Sequence, residues 1–129
     1  MREINNSLEV LKKGNIILYP TDTVWGLGCD ATNFKAVSQI YRIKNRTESK
    51  SLIVLVSSIH MLKKYVTVPS KALDILKKAK KPTTIIYKNP EGFAKNTIAL
   101  DGTIAVRVVK DEFCRKLIKR FKKPIISSS

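Results

Sequence analysis

Apolar positions recur along the chain at two periods, and the switches between them mark out its elements. Ile4, Leu8 and Leu11 follow a helical spacing that stops at Gly14, a residue suited to a left-handed C-terminal cap. "IILY" then reads as a strand from about Asn15 to Tyr19. Asn33 can cap a helix whose buried stripe carries Phe34, Val37, Ile40 or Tyr41, and Ile43. The unbroken apolar run "SLIVLV", Ser51 to Val56, predicts a buried strand. Ser57 or Ser58 can cap a short helix through Tyr65. Pro69 suits the first turn of another helix, with Leu73, Ile75 or Leu76, and Ala79 on its apolar side.

Further along, "TTIIY", "TIAL" and "TIAVRVV" predict strands, the last two joined by "DG" as a hairpin from Thr97 to Val109. A helix carrying Phe113, Leu117, Ile118 and Phe121 follows, and "KPIISSS" begins another apolar strand. Helices alternate with strands while hairpins also occur, so the expected class is α/β with a mixed sheet. At 129 residues, 43% of them hydrophobic, the chain can build one core, and a single domain over 1–129 is expected.

One stretch breaks the rhythm. "YPTDTVWGLGCDA", Tyr19 to Ala31, reads as a long polar, glycine-rich turn that opens onto the Asn33 helix. Its "GLGCDA" has the form G-x-G-x-x-A, and Glu48 lies about 20 residues past Gly28, where a dinucleotide fold places its ribose-binding acid. In that fold the strand runs straight into the first glycine, whereas here "PTDTVW" intervenes. No G-x-x-x-x-G-K-[ST] segment occurs either. Neither common nucleotide cradle is expected.

Charge adds a second consideration. A formal charge of +15, from 25 Lys and Arg against 10 Asp and Glu, creates a field that attracts phosphorylated ligands, RNA or an anionic surface. Many lysines, such as Lys77, Lys78, Lys80 and Lys81, occupy periodic positions of a solvated helix face. Cys29 and Cys114 make no staple pattern, which fits a reducing compartment. With no signal peptide and no membrane-length apolar run, a cytoplasmic location and no membrane partner are expected. His60 stands alone without a CxxC or carboxylate cluster, so no protein metal site is expected.

Cations fall in two informative places. Lys44, Arg46 and Lys50 share the connection "KNRTESK" between a helix end and the buried strand. Any one of them could simply favour the helix macrodipole, but three together suit a phosphate or carboxylate. Arg107 interrupts "AVRVV", where an unpaired guanidinium would be costly to bury, so it is expected to face a crevice or an anion.

Four segments, "YPTDTVWGLGCDA", "KNRTESKSLIVLV", "TIAVRV" and "KPIISSS", occur in an order and spacing that resembles the YrdC/Sua5/TsaC family of L-threonylcarbamoyladenylate synthases. The resemblance covers nearly the whole chain. It implies a twisted mixed sheet with flanking helices, and an enzyme that combines L-threonine, bicarbonate and ATP into threonylcarbamoyl-AMP and pyrophosphate. That product serves the threonylcarbamoyladenosine (t6A) modification of adenosine 37 in tRNA through partner proteins of the pathway. By the same resemblance, Thr23, Arg107 and Ser127 would bind threonine, and Gly26 and Gly28 would let the backbone pass close to it. Arg46, Lys50, Thr103 and Ser129 would bind ATP, and Lys44 and Arg46 would be the catalytic basic pair. ATP is then a substrate, Mg²⁺ arrives with it, and no prosthetic group is implied.

Three departures accompany the likeness. "KKPTT" stands where many members have P-G-P-x-T, leaving only Pro82 and Thr84 in common. Leu55 stands where archaeal and long-form members place a threonine-contacting histidine, which points to the short bacterial type or to weaker substrate recognition. Ser129 falls just before the A-N of an S-x-S-A-N ending, so the resemblance implies a C-terminally incomplete domain. The rival reading is a non-catalytic basic RNA-binding or scaffold member of the same fold. It draws on the charge, but no RRM, KH or helix-turn-helix motif supports it, and aromatics are not interleaved with the basic runs.

Overall fold

The computed structural model describes residues 2–20, 25–44 and 52–128. Helix α1 (Arg2–Lys12) ends as its spacing requires: Gly14 takes φ +77°, and the N–H groups of Gly14 and Asn15 donate to the carbonyls of Leu11 and Val10 at 3.0 and 3.1 Å. Strand β1 (Ile17–Pro20) follows and pairs antiparallel with β2 (Trp25–Asp30). "WGLGCD" is thus a strand. Of the expected long turn, residues 21–24, Thr23 among them, lie outside the described residues.

Asn33 caps α2 (Phe34–Ile43), its side chain accepting from the Ala36 N–H at 3.1 Å. The buried stripe is Ala36, Val37, Ile40 and Tyr41. Phe34 and Ile43, expected on it, are 51% and 61% exposed, because they sit at the two ends of the helix and off that stripe. Strand β3 (Ile53–Val56) precedes the short α3 (Ile59–Leu62), whose cap Ser58 accepts from the Met61 N–H at 3.1 Å. Pro69 is the cap of α4 (Ser70–Lys78) rather than part of its first turn. Only Ala72 of that helix is fully buried and Ile75 is exposed, so α4 rests on the core by a narrower stripe than its sequence suggests.

Strand β4 (Thr84–Lys88) is followed by a single 3₁₀ turn (Lys95–Thr97), then by β5 (Thr103–Val108). The expected "TIAL" strand is absent. Asn96 instead donates from its side chain to the Phe34 carbonyl and the Ser38 hydroxyl at 3.1 and 3.0 Å, while its own carbonyl accepts from the Tyr41 hydroxyl at 2.8 Å. These bonds pin the segment to α2. The "DG" turn survives, with Gly102 at φ +83° and the Ala99 N–H donating to the Thr103 carbonyl at 2.8 Å, but no hairpin grows from it. Asp111 caps α5 (Glu112–Phe121), and β6 (Ile125–Ser128) completes the sheet.

The strand order is β1-β2-β6-β3-β5-β4, with β3 and β5 the parallel pair and every other neighbour antiparallel. This is the mixed α/β sheet the pattern implied. Alternation sends Val54, Val56, Ile104, Val106 and Ile126 to one face, where they cluster with Val37 and Ile40 of α2, Leu62 of α3 and Ala72 of α4. Ile17, Tyr19, Leu55 and Ile125 point to the other, under α1 and α5 with Leu11, Leu117, Ile118 and Phe121. Among the described residues, no helix is long and apolar enough to cross a membrane.

Candidate active site

The two helices α1 and α5 leave part of their sheet face uncovered. Register identifies what lies there. Ser127 opposes Ile53, Ile53 opposes Ala105, and Ala105 opposes Ile86, so one row crosses β6, β3, β5 and β4. Thr103 and Arg107 flank Ala105 at two residues on either side and share its face. Ile53, Thr103, Ala105, Arg107 and Ser127 are half-buried, and Thr84, Ile86 and Lys88 on β4 are exposed. With strands about 4.8 Å apart, Ser127 stands about 10 Å from β5 across an apolar floor.

Three residues singled out by the sequence are therefore brought together here: Thr103, Arg107 and Ser127. Arg107 and Thr103 each have a fixed partner. The Arg107 Nε–H donates to the Thr84 hydroxyl at 3.0 Å, so the guanidinium lies along the open face, as expected of a group too costly to bury. The Thr103 hydroxyl donates to the Asp101 carboxylate at 2.6 Å, and the Thr103 N–H donates to the same oxygen at 3.1 Å. Those two bonds hold the Asp101 carboxyl below its usual range. A hydroxyl so committed keeps its lone pairs for a ligand but not its proton.

Ser127 follows a backbone that is tied to the core: the Tyr19 phenol donates to the Ile126 carbonyl at 3.3 Å. Tyr19 is 1% exposed, and burial pushes its phenol well above the ordinary value, so it stays neutral and works as a strut. Its ring also explains Gly28. A Cβ on Gly28 would collide with Tyr19 Cε1 and sit 3.0 Å from the Ile126 carbonyl. The glycine therefore serves packing inside the sheet.

Lys44 is placed elsewhere. It closes the carboxyl end of α2, its N–H donating to the Ile40 carbonyl at 3.0 Å, just before the segment that leads to β3. Arg46, Lys50, Thr23 and Ser129 lie outside the described residues. Leu55 is buried beneath α5 and Ile125, filling core space on the row of Arg107. Among the described residues no group of three His, Cys, Asp or Glu side chains could hold a metal ion.

Sequence reasoning missed the partners: Tyr19 behind Ser127, Thr84 beside Arg107, and Asp101 beneath Thr103. The "DGT" spacing could have revealed the last, since an Asp two residues before a Thr is a common turn-closing pair. The other two depend on strand register.

The model of the Sua5/YciO/YrdC family, described as "Telomere recombination", matches residues 9–129. A threonylcarbamoyl-AMP synthase from Psychromonas ingrahamii is 35% identical over 131 aligned residues, covering 98% of this chain and 69% of the relative. One from Pseudoalteromonas translucida is 39% identical, covering 95% of this chain and 68% of the relative. The crystal structure of P. abyssi Sua5 complexed with L-threonine superposes with a TM-score of 0.92 at 28% identity, covering 99% of this chain and 38% of that one.

Proposed function

We propose, on the premise that this chain belongs to the Sua5/YciO/YrdC family, that it is a threonylcarbamoyl-AMP synthase, a nucleotidyltransferase acting on threonine and ATP. The observation that carries the reading from fold to site is the convergence of Arg107, Ser127 and Thr103 on one uncovered sheet face. Arg107 takes the threonine carboxylate with its guanidinium, aimed by Thr84. Ser127, next to the backbone carbonyl that Tyr19 holds, and Thr23 hydrogen-bond the amino acid. Thr103, Arg46, Lys50 and Ser129 serve ATP, with the Thr103 oxygen accepting rather than donating.

The threonine amine and bicarbonate form a carbamate with loss of water. A carbamate oxygen then attacks the α-phosphorus, and pyrophosphate leaves. Both reactants are anions, so the chain's part is positioning and charge neutralisation. Lys44 and Arg46 supply cations, and Mg²⁺ enters as the ATP complex, held by the phosphates. The product feeds adenosine modification in tRNA through pathway proteins in the cytoplasm. The test is threonine-dependent pyrophosphate release with ATP, bicarbonate and Mg²⁺. Release that falls sharply in Arg46→Ala and Arg107→Ala at unchanged melting temperature supports the reading; threonine-independent release, or none, sinks it.

A further inference from the structure

The sheet has two edges, and they differ. β1 is four residues long and ends in Pro20, which has no N–H to offer a further strand. β4 runs five residues, Thr84–Lys88, in one-to-one register with β5, without a proline or a bulge. Among the described residues no strand pairs with its outer side. Proteins usually blunt such an edge with charge, proline or a covering segment. In a chain with 25 Lys and Arg, Thr84, Ile85, Ile86 and Tyr87 carry no charge, and Ile86 is 68% exposed.

Alongside this edge lies a groove of about 410 Å³, lined by Thr67, Pro69 and Ala72 on one side and by Ile85, Ile86 and Tyr87 on the other. The Tyr87 side chain is 3% exposed, and its hydroxyl finds no hydrogen-bond partner among the described residues. A buried hydroxyl left unpaired is costly, and an acceptor carried into the groove removes that cost. Lysines stand at both ends of the strand: Lys77, Lys78, Lys80 and Lys81 on the approach to it, and Lys88 on the groove itself. No carboxylate lines the groove, and among the described residues none forms an ion pair with any of these lysines.

We propose that β4 accepts an extended acidic segment of a partner protein as a further strand of the sheet, with alternate side chains of that segment filling the groove. Main-chain hydrogen bonds along an open edge supply affinity in this mode, and pockets for every second side chain supply specificity. Apolar residues suit the groove positions, and carboxylates between and beside them meet Lys88 and the lysines before Thr84. Charge decides against a second copy as the occupant, because two chains of formal charge +15 repel one another. It draws an acidic strand for the same reason. A polyanion without apolar side chains meets the lysines but leaves the groove empty. Neither Arg107, Thr103 nor Ser127 lines the groove, so the inference stands independently of the synthase reading.

Fluorescence anisotropy tests this on the full chain with a labelled, end-blocked peptide that alternates glutamate with valine and leucine. A second peptide of the same composition gathers its glutamates in one block and should bind at least about fivefold more weakly. Thr67→Trp, which fills the groove from an exposed position, and Lys88→Glu, which reverses its rim, should each weaken the alternating peptide about tenfold. Lys119→Glu on α5 changes the net charge as much as Lys88→Glu does and should cost less than about twofold. Amide exchange over residues 84–88 should slow when the alternating peptide is added, as strand pairing requires. Melting temperatures should match the parent; if Thr67→Trp melts early, Lys88→Glu against Lys119→Glu carries the comparison. Absence of binding, equal binding of the two peptides, equal losses at Lys88 and Lys119, or protection lying outside β4 overturns the proposal. So does sedimentation that finds a dimer lost in Ile86→Lys, which would give the edge to a second copy.

Discussion

The ring of Tyr19 occupies the space that a β-carbon at Gly28 would need, and its phenol reaches across to the strand that carries Ser127. Overpacking at such a contact costs about 1 to 3 kcal/mol, so Gly28→Ala should lower the urea midpoint accordingly. Tyr19→Phe keeps the ring and should cost only about 0.5 to 1.5 kcal/mol. It also removes the bond to the carbonyl just before Ser127, so its KM for threonine should rise more than its stability falls.

Arg107 and Thr84 lie on the open face, and surface substitutions of this kind usually stay within about 0.5 kcal/mol in stability. Arg107→Ala should nevertheless weaken threonine binding by about 1.5 to 3 kcal/mol, the range for a hydrogen bond to a charged group. Thr84→Val, which merely frees the guanidinium to wander, should lose less. Calorimetry on the two variants reads the order directly.

Asp101 fixes Thr103 through two hydrogen bonds that lower its carboxyl pKa. The support this gives is present above the unfolded carboxyl value of 3.8 and fades as pH falls through the lowered folded value. Amide exchange at Thr103 should accelerate only in that acid range. At neutral pH, Asp101→Ala should weaken ATP affinity while leaving threonine affinity nearly unchanged.

Burial, and then the charge of Asp30, push the Cys29 thiol from 9.0 up to about 12. The neutral thiol is the form the fold favours, so its contribution is complete below pH 9 and is lost as pH rises toward 12. Tyr19 shifts in the same direction. Stability should therefore decline in strong alkali. Near neutral pH, Cys29 should react with a thiol reagent far more slowly in the native protein than in urea.

Local chemistry was legible where it acts within a few residues. Gly14 and Asn33 mark their helix ends because a left-handed cap and a side-chain acceptor need no distant partner. The misreadings arose where distant contacts decide. "TIAL" has strand composition, yet β5 is already flanked by β3 and β4, and Asn96 is claimed by α2. "GLGCD" looks like a loop because glycines usually signal one, but Gly28 serves the Tyr19 ring within a strand. At the site, Arg107 could be read as facing outward from cost alone. Its neighbours Thr84 and Ser127 follow only from register across β4, β5, β3 and β6.

Alternation along β5 divides labour at the level of single codons. Ile104 and Val106 are sealed in the core cluster, while Thr103, Ala105 and Arg107 look onto the open face. Point changes at the odd-numbered positions can remodel what the surface binds while the packed interior stays untouched. A one-residue insertion or deletion within the strand does the opposite, thrusting a guanidinium into the core and turning Val106 out to solvent. Inheritance of this scaffold should therefore show substitutions gathered on one parity of β5 and indels excluded from it, so that new ligand preferences can arise by drift without passing through an unfolded ancestor.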